Sequence, residues 1–258
     1  MARIFVSGSS DGLGMMAAQL MIADGHSVIV HGRNRERADD ALRASAGAEV
    51  SVVGDLSSIK DTRAVAEQVN KLGRCDAVIH NAAVGYRERR RVETVDKLPV
   101  VFAVNSLAPY ILTALIERPK RLVYISSGLH RGADRSLEDL TWTTRPWNGS
   151  SAYSDSKLHD VILAFAVARR WRNVLSNAIE PGWVATKMGG PGAPDDLDAG
   201  PRTQVWLATS DDPEAKVSGK YFYHMRLRNP NRATGDVNTQ ELLLQECKRL
   251  SGVEFPPA

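Results

Sequence analysis

Cysteine is almost missing from this chain of 258 residues: only Cys75 and Cys247 occur, far apart. Neither stands in the paired spacing of a zinc site or a redox motif, so both are expected as reduced thiols, with no metal bound. Net charge is scarce too, since 33 Lys and Arg against 30 Asp and Glu leave a formal +3 spread along the chain. The one basic run, Arg87-Glu88-Arg89-Arg90-Arg91, suits a solvated loop or helix start, so nucleic acid is not an expected partner. No apolar run approaches the ~20 residues of a membrane span. The first residues enter a strand directly, without a basic segment followed by an apolar one, and a cytoplasmic protein is the expectation. Ordinary apolar and aromatic content excludes a disordered or fibrous chain.

What is present is alternation. The short apolar runs "RIFVS", "SVIVHG", "VSVVGD", "CDAVIHNAA", "RLVYISS", "LSNAIEPG" and "GKYFYH" read as strands. Between them, amphipathic stretches predict helices over 13–24, 36–46, 59–72, 94–116, 152–171, 202–209 and 238–249. The strands are apolar at successive positions, as expected when both faces of a sheet are covered. The pattern therefore predicts an α/β fold, a doubly wound parallel sheet in three α/β/α layers, formed by residues 1–258 as a single domain. Two regions interrupt it: an insertion over 128–149, and a Gly/Pro/Asp-rich loop over 187–200 that is expected to cover substrate.

The first strand runs into "SGSSDGLG", Ser7 to Gly14. A strand, a glycine turn and a helix leave free N–H groups at the helix N-terminus, where a pyrophosphate can sit. In a doubly wound sheet ligands bind beyond the C-terminal strand ends. Asn81, Ser126, Ser127, Pro181 and Gly182 close other strands and fall on the same rim. Tyr153 and Lys157 in "YSDSK" share one helix face, and an ammonium beside a phenol favours ionisation of the phenol, which equips it for proton transfer.

In order and spacing these motifs resemble those of the short-chain dehydrogenase/reductase family, over nearly the whole chain from Arg3 to about Tyr223. Its Thr-Gly-x-x-x-Gly-x-Gly cofactor motif appears with Ser7 in the threonine place and Gly8, Gly12 and Gly14 matching; Ser9, Ser10, Asp11 and Leu13 fill the loop. Asp55-Leu56 matches the segment that contacts adenine, and Asn81-Ala82-Ala83 an altered Asn-Asn-Ala-Gly. "PGWVAT" matches the segment beside the nicotinamide, with Pro181, Gly182, Val184 and Thr186. The resemblance implies a Rossmann-type NAD(P)-binding fold, an oxidoreductase that interconverts carbonyl and alcohol, and a catalytic set of Asn105, Ser127, Tyr153 and Lys157. Tyr153 would exchange the proton while Ser127 stabilises the developing charge. Lys157 would lower the tyrosine pKa and hold the nicotinamide ribose, and Asn105 would anchor a water chain.

NADP is the expected cofactor, with NAD second. The second strand ends in Gly32-Arg33-Asn34 where an NAD site wants a carboxylate, and a guanidinium suits a 2′-phosphate. Asp39 and Asp40 lie too far along to replace that acid, while Asp11 would oppose a 2′-phosphate if its side chain turned inward. His80 and His130 are expected in the core and at the surface, respectively. The interval from Ser127 to Tyr153 is about twice the usual one, similar to retinol dehydrogenase-like members, and implies a bulky, lipophilic small-molecule substrate that Trp142, Trp147, Trp183 and Met188 could line. The family's habit implies a homodimer or homotetramer through the helices of Asn105 and Tyr153; the apolar stretch Val161 to Ala168 fits such an interface and an intrachain core alike. A cofactor-binding sensor without chemistry is the alternative reading. A sugar-nucleotide epimerase would need another glycine spacing and more chain after Thr186.

Overall fold

The computed structural model describes residues 1–257. Seven parallel strands build one sheet: β1 (Arg3–Val6), β2 (Ser27–Gly32), β3 (Val50–Val53), β4 (Ala77–His80), β5 (Arg121–Ile125), β6 (Leu175–Glu180) and β7 (Tyr221–Tyr223). A two-residue strand β8 (Arg226–Leu227) adds antiparallel at the edge, giving the order β3-β2-β1-β4-β5-β6-β7-β8. The strand order reverses between β1 and β4, so the C-terminal ends of those two strands open the crevice where such folds take ligands. This is the expected α/β Rossmann-type arrangement; only β8 went unforeseen, being too short for a pattern to register.

Strand alternation splits the core into two layers. Ile4 and Val6 pack with Ala17, Ala18 and Met21 of α1 (Gly12–Ala23) and with Val205 and Ala208 of α7 (Arg202–Thr209). Phe5 faces the other way, toward Val65 and Val69 of α3 (Ile59–Lys71), Tyr110 and Ile111 of α5 (Ala108–Leu115), and α6 (Gly149–Arg170). Successive apolar residues in one strand are thus each buried, on opposite faces. α2 (Arg35–Ala44) is capped by Asn34, whose side chain accepts from the Arg37 amide, a contact of the kind that contributes about 1 kcal/mol.

The helix expected over 94–116 starts late. Pro99 disfavours helical geometry at Leu98, and residues 94–99 form a turn in which Lys97 has φ 63°. Helix begins in α4 (Val100–Phe102), widens into a π-helical turn over Ala103–Leu107 that contains Asn105, and continues as α5. The C-terminal helix α8 (Val237–Ser251) packs on α5 and α6, and Val161, Ile162, Leu163 and Val167 lie in the intrachain core together with Leu243, Leu244 and Phe255. No helix among the described residues is long and apolar enough to cross a membrane.

Candidate active site

The C-terminal strand ends enclose a cleft of ≈ 1770 Å³. One end is the glycine loop. Gly8 has φ +63°, and a Cβ there would lie 2.7 Å from the Cα of Ala82; at Gly14 it would lie 2.3 Å from the Asn81 side chain. Only glycine allows the loop to approach β4 so closely. Ser7 and Ser9 brace it from behind: the Ser7 hydroxyl accepts from the Asn81 and Ala82 amides, and the Ser9 hydroxyl accepts from His31 N and donates to Val6 O. Asp11 stands at the start of α1 without capping it by a side-chain bond, so the first-turn amides are left for an anion in the cleft.

His31, at the end of β2, joins this scaffold. Its Nδ1 accepts from the Gly8 amide at 3.0 Å and its Nε2 donates to Gly54 O at 2.9 Å. Burial lowers its pKa to about 4, so the imidazole is neutral. The residue was not singled out from sequence, because a histidine in an apolar run carries no signal of its own.

The other end of the cleft holds Tyr153, Lys157 and Ser127, close to Tyr86, Val104 and Met188. Tyr86 meets the Tyr153 ring edge-on at 5.7 Å, and the Tyr153 hydroxyl points at Met188 Sδ, 3.9 Å away. Burial raises the pKa of this phenol, while Lys157 and the Ser127 hydroxyl pull it down and Asp160 pushes it up. Lys157 thus acts on the phenol in the expected direction, but burial is the larger effect and leaves the pKa raised. Lys157 Nζ donates to Ile125 O at 2.8 Å and to Asp160 Oδ2 at 2.9 Å, with both side chains buried. Burial works against the ammonium, but Asp160 and Tyr153 together outweigh it and raise its pKa.

Asn105 lies behind the cleft wall. Its Oδ1 accepts from the Val84 amide, and its Nδ2 donates to Val84 O and the Ser156 hydroxyl. The side chain thus pins the segment after β4 to α6, and any water chain would have to use its backbone.

A family model for short chain dehydrogenase matches residues 2–128. The chain is 47% identical to an uncharacterised oxidoreductase of Emericella nidulans, and 39% identical to the short-chain dehydrogenase chry4 of Gibberella zeae, in both cases over 99% of each chain. The chain belongs to the short-chain dehydrogenase/reductase family. Human retinol dehydrogenase 14 is 30% identical over 93% of this chain and 80% of its own. A crystal structure from Mycobacterium Paratuberculosis superposes with TM-score 0.85 at 25% identity, covering 99% and 95% of the two chains. The RhlG/NADP active-site complex of Pseudomonas aeruginosa shares the fold, with TM-score 0.65, 22% identity, and 86% and 93% covered. As a short-chain dehydrogenase/reductase, the chain is an oxidoreductase that acts on CH–OH and C=O groups and binds a nicotinamide cofactor.

Of the residues singled out for the cofactor in this short-chain dehydrogenase/reductase, Gly8, Ser10, Asp11, Gly12, Leu13, Arg33, Asp55, Leu56, Asn81, Ala82, Ala83, Pro181, Gly182, Val184 and Thr186 line the cleft. Ser7, Ser9 and Gly14 hold its walls from behind, and Asn34, exposed, caps α2 instead. Arg37 was missed; it lines the cleft and pairs with Asp11 at 2.5 Å and Asp40 at 3.2 Å. Its helical position, one turn beyond Arg33, was the signal available.

The insertion differs from expectation. Trp142 and Trp147 face each other in a cluster with Val101, Ala152 and Tyr153, while Trp183 and Met188 line the cleft. The insertion thus supports α6 from outside. Arg145 ties it down, bonding Asp155 at 2.6 Å and Asp134 at 3.2 Å and lying 3.6 Å from the centre of the Trp142 ring. His130, expected at the surface, is 0% exposed; it bonds Ser127 O through Nδ1 and accepts from Asn231 N through Nε2. His80 lies in the core as expected, stacked on Tyr124 and bonded to Thr113.

Proposed function

We propose that the chain is an NADP-dependent carbonyl reductase or alcohol dehydrogenase for a bulky lipophilic substrate. The observation that carries this reading is the cleft itself: a glycine-braced anion site and two arginines at one end, and the Tyr153, Ser127 and Lys157 group among apolar side chains at the other.

NADP, when bound, supplies the hydride. Arg33 and Arg37 suit its 2′-phosphate, and β2 ends in glycine where an NAD site wants a carboxylate. Asp11 does bring a carboxylate to this end of the cleft, where Arg37 and Lys187 pair with it. Tyr153, held as a neutral phenol, gives its proton to the carbonyl oxygen. Ser127 donates to the same oxygen as negative charge develops. Lys157 has three N–H donors, two of them committed to Ile125 and Asp160, and the third serves a ribose hydroxyl. Tyr86, Val104, Leu129, Trp183 and Leu227 give the substrate end an apolar lining, in keeping with the resemblance to a relative named for retinol.

The test is NADPH consumption against aldehydes, ketones, quinones and retinoid or steroid carbonyls. Turnover that Tyr153→Phe abolishes while NADPH binding persists is the expected result. Activity retained by Tyr153→Phe would overturn the assignment.

A further inference from the structure

The ion pair behind Tyr153 has more to it than a tether. Asp160 follows Lys157 by three residues on α6, one turn farther from the cleft, and its Oδ2 lies 2.9 Å from Nζ. Both side chains are 3% exposed, so little water screens either charge. Nζ lies 5.7 Å from the centre of the Tyr153 ring. A lone buried ammonium at that distance would draw the phenol toward ionisation; a carboxylate directly behind it returns much of that field.

We propose that Asp160 is a positioning residue of the catalytic group: it anchors the Lys157 ammonium from behind, offsets its charge at Tyr153, and so biases the site toward carbonyl reduction. The proposal rests on the reductase reading above. A phenol that stays protonated is a competent acid for reduction, and a poor base for alcohol oxidation at neutral pH. Asp160 also commits one N–H of Lys157, which fixes the direction of the donor left for the cleft.

Burial pushes Asp160 itself up to about 7 against the pull of Lys157, so its charge is complete above neutrality, where the phenol titrates, and there the surroundings leave this pair as the charge that Tyr153 feels. Burial raises Tyr124 of β5 and Tyr221 of β7, and lowers His80 of β4 and His159 of α6 to about 3, so all four are neutral near pH 7. Tyr86, from the segment after β4, packs against the Tyr153 ring. Glu180 at the end of β6 is paired with Arg131 at 2.7 Å.

The experiment is a pH titration of tyrosinate absorbance in the cofactor-free protein, with Tyr153→Phe subtracted to isolate the one phenol. Wild type should ionise above the free-phenol value of ~10. Asp160→Asn, which keeps an oxygen for Nζ–H and removes the charge, should ionise at least about one pH unit lower. The alkaline limb of NADPH-dependent reduction should move by the same amount, and alcohol oxidation at neutral pH should speed up. An unchanged or higher ionisation in Asp160→Asn would overturn the proposal. If that variant does not fold, wild type decides alone, since ionisation below the free-phenol value overturns it. The titration needs no substrate, so loss of the reductase reading, seen as no Tyr153-dependent turnover, is recorded separately.

Discussion

The hydroxyl of Tyr153 faces the sulfur of Met188 at 3.9 Å, with the methionine carried by the loop that follows β6. The thioether occupies the place a substrate oxygen must take to receive the phenol proton. The loop is fastened by Lys187, whose Nζ lies 3.1 Å from Asp11, and by Trp183, whose Nε1 donates to Gly189 O.

Met188 must therefore move when substrate enters. Met188→Ala is expected to lower KM for bulky ketones roughly tenfold while leaving small aldehydes nearly unaffected, the scale of a few methylenes in an apolar pocket. Steady-state kinetics across a size series checks this, and equal effects on both classes would show that Met188 only packs.

The arginines at the far end set the nucleotide preference. Removing one charge-assisted contact costs about 1.5–3 kcal/mol, so Arg33→Ala or Arg37→Ala should raise the Kd for NADPH roughly ten- to hundredfold and leave NADH nearly unchanged. Asp11→Asn should tighten NADPH by freeing Arg37 and Lys187 from their carboxylate. Fluorescence titration with both nucleotides measures all three.

Stability should fall on mild acidification. His31 is lowered to about 4 and His80 and His159 to about 3 by burial, so the unfolded chain binds protons that the folded chain refuses. This stability is complete above the unfolded value of ~6.5 and is lost as pH falls toward the folded values, on the order of 3 kcal/mol for His31. Protonation of His31 also removes the acceptor for the Gly8 amide, so NADPH affinity should drop only as pH approaches about 4, where the folded imidazole takes its proton. Urea unfolding at pH 7 and pH 5 gives the net difference, part of which Asp160, pushed up to about 7 by burial, offsets; His31→Asn should remove only the His31 share of the loss.

Arg145 links the insertion to the helix of Tyr153. Arg145→Ala leaves Asp155, whose side chain is 6% exposed, without its cation and should cost about 3 kcal/mol. Arg145→Lys should recover only part, since an ammonium can neither fork between Asp134 and Asp155 nor lie flat on Trp142. Denaturant midpoints report both, together with any loss of Tyr153-dependent rate.

The strand runs, the glycine spacing and the Tyr153, Lys157 interval were legible because each depends on local periodicity or on residues adjacent in the chain. So was the convergence of "SGSSDGLG", Asn81, Ser127 and Pro181 on one rim, since parallel strands place their C-terminal ends together. The late start of α4 was legible only in part, because Pro99 is a local signal that a long apolar pattern masked.

Partnerships across the chain were decided by tertiary structure. Nothing in sequence tells that Asn105 spends its amide on Val84, that His130 closes onto Asn231, that Trp142 and Trp147 cluster beside Tyr153, or that Asp11 pairs with Arg37 and Lys187. The same holds for Asp160: its spacing from Lys157 is visible in the chain, but its burial is set by packing between α6 and the sheet. By itself the sequence determined the layers, the order of the strands along the chain and the chemistry offered at their ends, because hydrophobic period and glycine conformation act over a few residues. Tertiary structure decided which charges face one another and which lose their water, because burial and electrostatic pairing depend on elements distant in the chain meeting in space.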